Sequence, residues 1–193
     1  MKKWQNIKNN PLLWKTFLIR EKIIRAIREF FYIKNYHEVE TPLLVPSVIP
    51  ESYLENFTTT LLDRSRNKTQ LFLTTSPEAS MKKLIAGGIG NCFEITKSFR
   101  NGETDSQIHN PEFSILEWYQ VGTDYKDFMG ECEHLIRYLI TAVGKNKLVY
   151  QGVPIETKKA FLKLSVSDVL KKYAGVQFDT ITNKEARDDN EIF

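Results

Sequence analysis

Cys92-Phe93-Glu94-Ile95-Thr96-Lys97-Ser98-Phe99, followed by Arg100-Asn101-Gly102-Glu103 and then by Phe113-Ser114-Ile115-Leu116-Glu117-Trp118-Tyr119, decides how this sequence folds. The first and last stretches are short and apolar, while charged, Gly and Asn residues without periodicity run from Arg100 to Asn110. This pattern predicts two strands flanking a polar loop of about ten residues. Alternate residues of a strand share a face, so Phe113, Ile115, Glu117 and Tyr119 point the same way and set a ring, a carboxylate and a phenol side by side. A buried carboxylate is costly without a cation. Glu117 therefore requires either a structural Arg or Lys partner or a cationic ligand. Arg100 opens the loop with a planar fork that suits a phosphate or carboxylate, the other reading being a structural salt bridge.

Outward from this pair of strands, Asn9-Asn10-Pro11 offers a cap and a first-turn proline. Leu13, Phe17, Ile23, Ile24, Ile27, Phe30 and Phe31 then recur at helical spacing. The opposite face carries Lys15, Arg20, Lys22, Arg25 and Arg28, either a solvated surface or a stripe facing a polyanion. Tyr36-His37-Glu38-Val39-Glu40 alternates like a strand until Thr41-Pro42 breaks it, which puts Pro42 at an edge or interface. The polar residues 52–70 read as a hairpin with a solvated tip, and Leu71-Phe72-Leu73-Thr74-Thr75 as a buried strand. Ser76-Pro77-Glu78 looks like a helix start with Ser76 as cap, and Gly87-Gly88 stops that helix. As the first acidic residue of a helix, Glu78 can also be read simply as stabilising its dipole. A further helix is expected over residues 125–143, a hairpin over 148–155 and a short capped helix over 165–173. Helices and strands alternate irregularly, which favours an α+β domain with an antiparallel sheet flanked by helices over a doubly wound parallel sheet.

With 193 residues the chain is long enough for one domain with a core, and its 41% hydrophobic and 26% charged residues are those of a folded protein. A single domain over residues 1–193 is expected. No apolar run reaches the roughly 20 residues of a membrane span and no signal-like stretch follows the start, so a cytosolic protein is expected. Cys92 and Cys132 lack a CxxC or a His at ligand spacing and read as free thiols. A net charge of +3 is too small to argue nucleic-acid binding.

Phe99-Arg100-Asn101 with Glu103, His109-Asn110-Pro111-Glu112-Phe113 and Leu116-Glu117-Trp118-Tyr119 resembles motif 2 of the class II aminoacyl-tRNA synthetases in its lysine-specific form. Val39-Glu40-Thr41-Pro42-Leu43 resembles motif 1, whose proline packs at a dimer interface. Thr75-Ser76-Pro77-Glu78 with Met81-Lys82-Lys83-Leu84 resembles the lysine-site helix of the same group. Three matches in order over about 110 residues are far more specific than any one short motif. The compact motif 2 loop, its Glu-Trp-Tyr ending and a start almost directly at the motif 1 helix, with no preceding anticodon-binding barrel, resemble the lysyl-tRNA synthetase paralogues that attach a lysine derivative to elongation factor P.

The resemblance implies ATP-dependent activation of lysine or β-lysine as an adenylate and its transfer to a lysine of elongation factor P, with a homodimer expected and tRNA not expected as acceptor. A lysyl-tRNA synthetase fragment and a non-catalytic truncated paralogue are the other readings. By the same resemblance Arg100 is the catalytic residue and bridges the α-phosphate and the lysine carboxylate. Asn101, Gly102, Glu103, His109, Asn110 and Phe113 join it around ATP, with Phe113 against the adenine. Ser76, Pro77 and Glu78 join the lysine-binding residues, with Glu78 taking the α-amino group, while Tyr119 reaches the ε-ammonium end and Glu117 supplies negative potential nearby. Pro42 belongs to the dimer interface. Mg²⁺ is implied as cofactor with no ligands within this chain. Gly102 stands where most of the group has a Glu, with Glu103 one place later. No Gly-x-Gly-x-x-Arg motif 3 precedes Phe193, so a fragment lacking that portion of the domain, inactive alone, is expected.

Overall fold

The computed structural model describes residues 8–50, 53–102, 108–145 and 147–176. The chain forms two compact units, residues 1–146 and 147–193.

The first unit opens with helix α1 (Pro11–Ile33). The Asn10 side chain accepts from the backbone N–H groups of Leu12 and Leu13, both at 3.1 Å, a cap worth about 1 kcal/mol. The chain leaves the helix through Asn35 at φ 60°, a left-handed conformation that Asn tolerates better than most residues. Strand β1 (His37–Glu38) follows, then β2 (Leu44–Val45), the hairpin β3 (Thr58–Leu62) and β4 (Lys68–Leu73), helix α2 (Glu78–Ala86), strands β5 (Cys92–Phe99) and β6 (Glu112–Tyr119), and helix α3 (Tyr125–Ala142). Asp124 and Asp127 cap α3 reciprocally.

One sheet has the order β1-β5-β6 and the other β2-β4-β3. All pairings are antiparallel except that of β1 with β5, which is parallel. The strand expected over residues 36–40 contracts to His37–Glu38, because the next free amide, Thr41 N–H, turns to a carboxylate of β5 instead of a strand. Likewise β4 stops at Leu73; its first half is exposed, and burial begins in earnest at Thr74 and Thr75.

The core lies on one face of β5-β6. Phe93 is wholly buried and stacks on Phe31 of α1 at 4.7 Å between ring centres, and Ile27, Phe30, Tyr36 and Leu135 close around them. Ile95, Leu116 and Trp118 pack from the same side of the sheet, Trp118 stacking on Phe128 of α3 at 5.0 Å. Truncating a ring as enclosed as Phe31 costs about 3–5 kcal/mol. Behind this core Glu131 is 5% exposed and accepts from Lys34 Nζ at 3.1 Å, Tyr36 OH at 2.7 Å and Trp118 Nε1 at 3.0 Å, so a buried charge is matched by a cation and two neutral donors. The basic face of α1 is partly engaged: Arg25 pairs with Glu21, Arg28 with Glu38, and Arg20 donates to Ser114.

The second unit holds the hairpin β7 (Leu148–Tyr150) and β8 (Val153–Ile155) and helix α4 (Val166–Ala174), capped by Ser165 and closed by Gly175 at φ 71°. Among the described residues no helix is long and apolar enough to cross a membrane, and Cys92 and Cys132 are free thiols.

Candidate active site

Because side chains alternate along a strand, packing Phe93, Ile95, Leu116 and Trp118 into the core commits the residues between them to the other face. The register puts Cys92 opposite Tyr119, Glu94 opposite Glu117, Thr96 opposite Ile115 and Ser98 opposite Phe113 on that second face. Sequence reasoning singled out Glu117, Tyr119 and Phe113 on β6 and gave no role to the facing residues of β5. Glu94 is 1% exposed and Ser98 is 0% exposed, and the Ser98 hydroxyl has no hydrogen-bond partner among the described residues. The available signal was a carboxylate between Phe93 and Ile95 in the apolar first half of the strand.

Glu117 is half-buried. Ser76 Oγ donates to its Oε1 at 2.5 Å and Tyr119 OH to its Oε2 at 3.3 Å. Among the described residues no Lys, Arg or His forms an ion pair with it, so the structural cation that would have explained this carboxylate has no representative there. Burial, and next the adjacent Glu117, push the Tyr119 phenol well above its ordinary value, so it remains a protonated donor.

Ser76 is positioned by the start of α2. Its Oγ accepts from Glu78 N–H at 3.1 Å while donating to Glu117, and Thr74 Oγ1 donates to the Ser76 carbonyl at 2.5 Å. Pro77 is fully buried and is itself the N-cap of α2, one place later than the Ser76 cap expected from the sequence, because the helix begins only at Glu78. Glu78, in the first turn, makes an ion pair with Lys82 one turn on.

Arg100 leaves the far end of β5. Its backbone N–H donates to the Pro111 carbonyl at 3.0 Å, and its guanidinium carbon lies 5.3 Å from the centre of the Phe113 ring. The Arg100 Nε is buried without a hydrogen-bond partner, and no ion pair to Arg100 occurs among the described residues. A guanidinium held against a ring with an unsatisfied N–H is poised for an anion. Asn101 N–H donates to the Glu55 carbonyl at 2.9 Å and its Oδ1 accepts from Gly102 N–H at 3.0 Å. Gly102 takes φ 78°, and a Cβ there would meet Glu55 Cγ at 3.4 Å, so glycine is suited to this turn on both counts. His109 and Asn110 are exposed. Glu103 lies outside the described residues.

Pro42 is exposed and lines an apolar groove of about 420 Å³ with Leu44, Val48 and Leu84. Among the described residues no three His, Cys, Asp or Glu side chains converge on a metal position.

A half-buried carboxylate with neutral donors and an anion-ready arginine toward opposite ends of one sheet face follow the order of the motifs in the sequence. Residues 2–192 match the family described as tRNA synthetases class II (D, K and N). This chain belongs to that family. As a class II synthetase chain it is similar to the lysine-tRNA ligase of Clostridium tetani (strain Massachusetts / E88), with 34% identity over 96% of this chain and 39% of that protein. To the lysine-tRNA ligase of Paraburkholderia xenovorans (strain LB400) it is 40% identical, over 85% of this chain and 31% of the relative. To the elongation factor P-(R)-beta-lysine ligase of Pseudoalteromonas translucida (strain TAC 125) it is 41% identical, over 68% of this chain and 41% of that protein. The chain thus spans about a third to two fifths of the length of these class II relatives. The α+β class read from the sequence is that of the family, with antiparallel strands and flanking helices.

Proposed function

We propose that the outer face of β5 and β6 is the lysine-activating site of a cytosolic ligase. The ligase makes an aminoacyl-adenylate from ATP and lysine or β-lysine and passes the aminoacyl group to a lysine of elongation factor P. The observation that carries this reading is Glu117: a half-buried carboxylate with neutral donors on both oxygens and no cation among the described residues, on the same face as Phe113 and its cationic partner Arg100. A strand rises about 3.4 Å per residue, so Glu117 and Phe113 stand about 14 Å apart along β6. That span accommodates an extended lysine with its ammonium at Glu117 and its carboxylate toward Arg100. The lysine-specific names of the relatives support the same amino acid.

In activation, a lysine carboxylate oxygen attacks the α-phosphorus of ATP in line, and the bond from that phosphorus to the β-bridging oxygen breaks. Pyrophosphate leaves with the electron pair. Both reactants are anions, and Arg100 offsets their repulsion by donating to each. The Phe113 ring, with Arg100 on it, gives the adenine a surface to stack on. Asn101, Gly102, His109 and Asn110 border the nucleotide, with Glu103 assigned by resemblance. At the other end Ser76 and Tyr119 each donate to a Glu117 oxygen and so orient the carboxylate that an ammonium would meet. Glu78 receives the α-amino group, which replaces the Lys82 ammonium on its carboxylate, and the buried Pro77 fixes that turn. In transfer, the acceptor lysine's neutral amine attacks the adenylate carbonyl, AMP leaves, and an amide remains after loss of a proton. Mg²⁺ is implied by the family, but no described cluster of side chains fits it, so no step here is assigned to it.

The exposed Pro42 and its apolar groove support a homodimer, since such a patch gains by burial against a second copy. The family match running through both compact units supports reading them as parts of one catalytic domain.

For the acceptor, the 41% identity to an elongation factor P ligase and the Glu117-Trp118-Tyr119 ending support a protein lysine. The lysine-tRNA ligases among the relatives support a second reading in which the acceptor is tRNA. Transfer of radiolabelled lysine and (R)-β-lysine to purified elongation factor P and to lysine tRNA, side by side, separates them. Labelled protein with uncharged tRNA is the expected result, and charged tRNA with unlabelled protein would reverse the choice.

A further inference from the structure

We infer that Glu94 is a second specificity-determining carboxylate of the lysine pocket, acting on the ligand's ammonium from behind Glu117 without touching the ligand. This rests on the lysine reading proposed above.

Glu94 stands directly opposite Glu117 in the β5-β6 register, and side chains so paired have Cβ atoms about 4.5–5.5 Å apart. Like charges in that relation destabilise a sheet, and Glu94 is 1% exposed, so water offsets little of its cost. Its two oxygens accept from the Thr41 N–H and from Thr41 Oγ1, each at 2.9 Å. Both donors are neutral, and no ion pair to Glu94 occurs among the described residues. Tying the Thr41 segment to β5 does not need a charge. A glutamine has the same shape, its carbonyl can accept the Thr41 N–H, and its amide can donate to the Thr41 hydroxyl oxygen without a buried anion. The charge becomes useful when a cation arrives on this face.

Glu131, also buried in the same unit, has Lys34 beside it and is complete without a ligand. Glu94 and Glu117 together have four neutral donors and no cation among the described residues. A second, independent sign that a ligand lies along this face is Ser98, wholly buried two positions on from Thr96 with its hydroxyl unpartnered among the described residues. In a poorly solvated site an ammonium at Glu117 is attracted by Glu94 as well, through a few ångströms of low-dielectric space. The pair therefore selects side chains ending in a cation over neutral side chains of the same length.

The test is the affinity of the intact chain for lysine and for norleucine, which carries a methyl in place of the aminomethyl end, measured by calorimetry in the parent, Glu94→Gln and Glu94→Asp. Glu94→Gln keeps the tie to Thr41 and removes the charge. It should weaken lysine about tenfold and leave norleucine within about twofold, with the melting temperature little changed. Glu94→Asp keeps the charge but shortens the reach to Thr41; it should lose thermal stability and retain most of the preference for lysine. A preference unchanged in Glu94→Gln, or abolished in a folded Glu94→Asp, overturns the inference while leaving the lysine reading intact. A parent that binds lysine no better than norleucine overturns both.

Discussion

Ser76 and Glu117 are joined by a hydroxyl that serves two masters at once: Ser76 Oγ accepts from the Glu78 N–H at the first turn of α2 and donates to Glu117 Oε1 at 2.5 Å. The acidic end of the candidate pocket is thus locked to a helix start. Ser76→Ala removes both bonds and leaves Tyr119 alone on Glu117. Lysine affinity should fall about tenfold and stability by about 1–2 kcal/mol, the ordinary cost of losing two partly buried side-chain hydrogen bonds. Calorimetric titration with lysine and urea denaturation check the two halves; unchanged lysine affinity would detach Ser76 from the site.

Arg100 separates chemistry from stability. It has no ion pair to lose among the described residues, only its packing on Phe113. Arg100→Ala should therefore leave the melting temperature within a few degrees. It should also slow lysine-dependent exchange of pyrophosphate into ATP by about 10²–10³, the usual effect of removing a donor to developing negative charge. Arg100→Lys should recover only part of the rate, because an ammonium lacks the fork that spans two oxyanions. Exchange by the smallest active form of the protein, within tenfold of the parent in Arg100→Ala, would refute this role.

Alkaline pH acts on the fold through Tyr36. Burial first, and then its bond to Glu131, raise the phenol above its ordinary value of 10.0. A phenol raised in the folded state contributes stability that is complete below its unfolded value and is lost as pH climbs beyond it. Stability should hold to about pH 10 and decline above it. Tyr36→Phe should be less stable at pH 8, since Glu131 loses a donor, and should show a shallower alkaline decline. Urea midpoints between pH 8 and 11 measure both, and parallel profiles for parent and variant would contradict the assignment.

Much of this was legible in the sequence because it rests on local signals. Asn10-Pro11 and Ser165 mark helix starts that the structure keeps, Gly144 ends α3 at φ 72°, and the two short apolar stretches form strands over residues 92–99 and 112–119, the second beginning one residue before Phe113. What escaped depends on partners distant in sequence. The shortening of β1 follows from Thr41 bonding Glu94, 53 positions away, a choice no local propensity encodes. Glu94 is one of several polar residues of β5, with Thr96, Lys97 and Ser98, and only the register across from Glu117 sets it apart. The ion pair of Glu78 with Lys82 follows from their i,i+4 spacing, a local signal the sequence carries.

Whether Glu117 reads an ammonium is tested most directly by non-hydrolysable sulfamoyl-adenosine analogues of lysyl- and norleucyl-adenylate, titrated into the parent and into Glu117→Gln. These ligands occupy both ends of the site and need no turnover. The parent should bind the lysyl analogue about 100-fold more tightly than the norleucyl one, a difference of about 2.7 kcal/mol, and Glu117→Gln should reduce that ratio to below about tenfold by weakening the lysyl analogue alone. Equal affinity of the parent for both analogues, or a ratio that survives Glu117→Gln, would contradict a lysine pocket on this face.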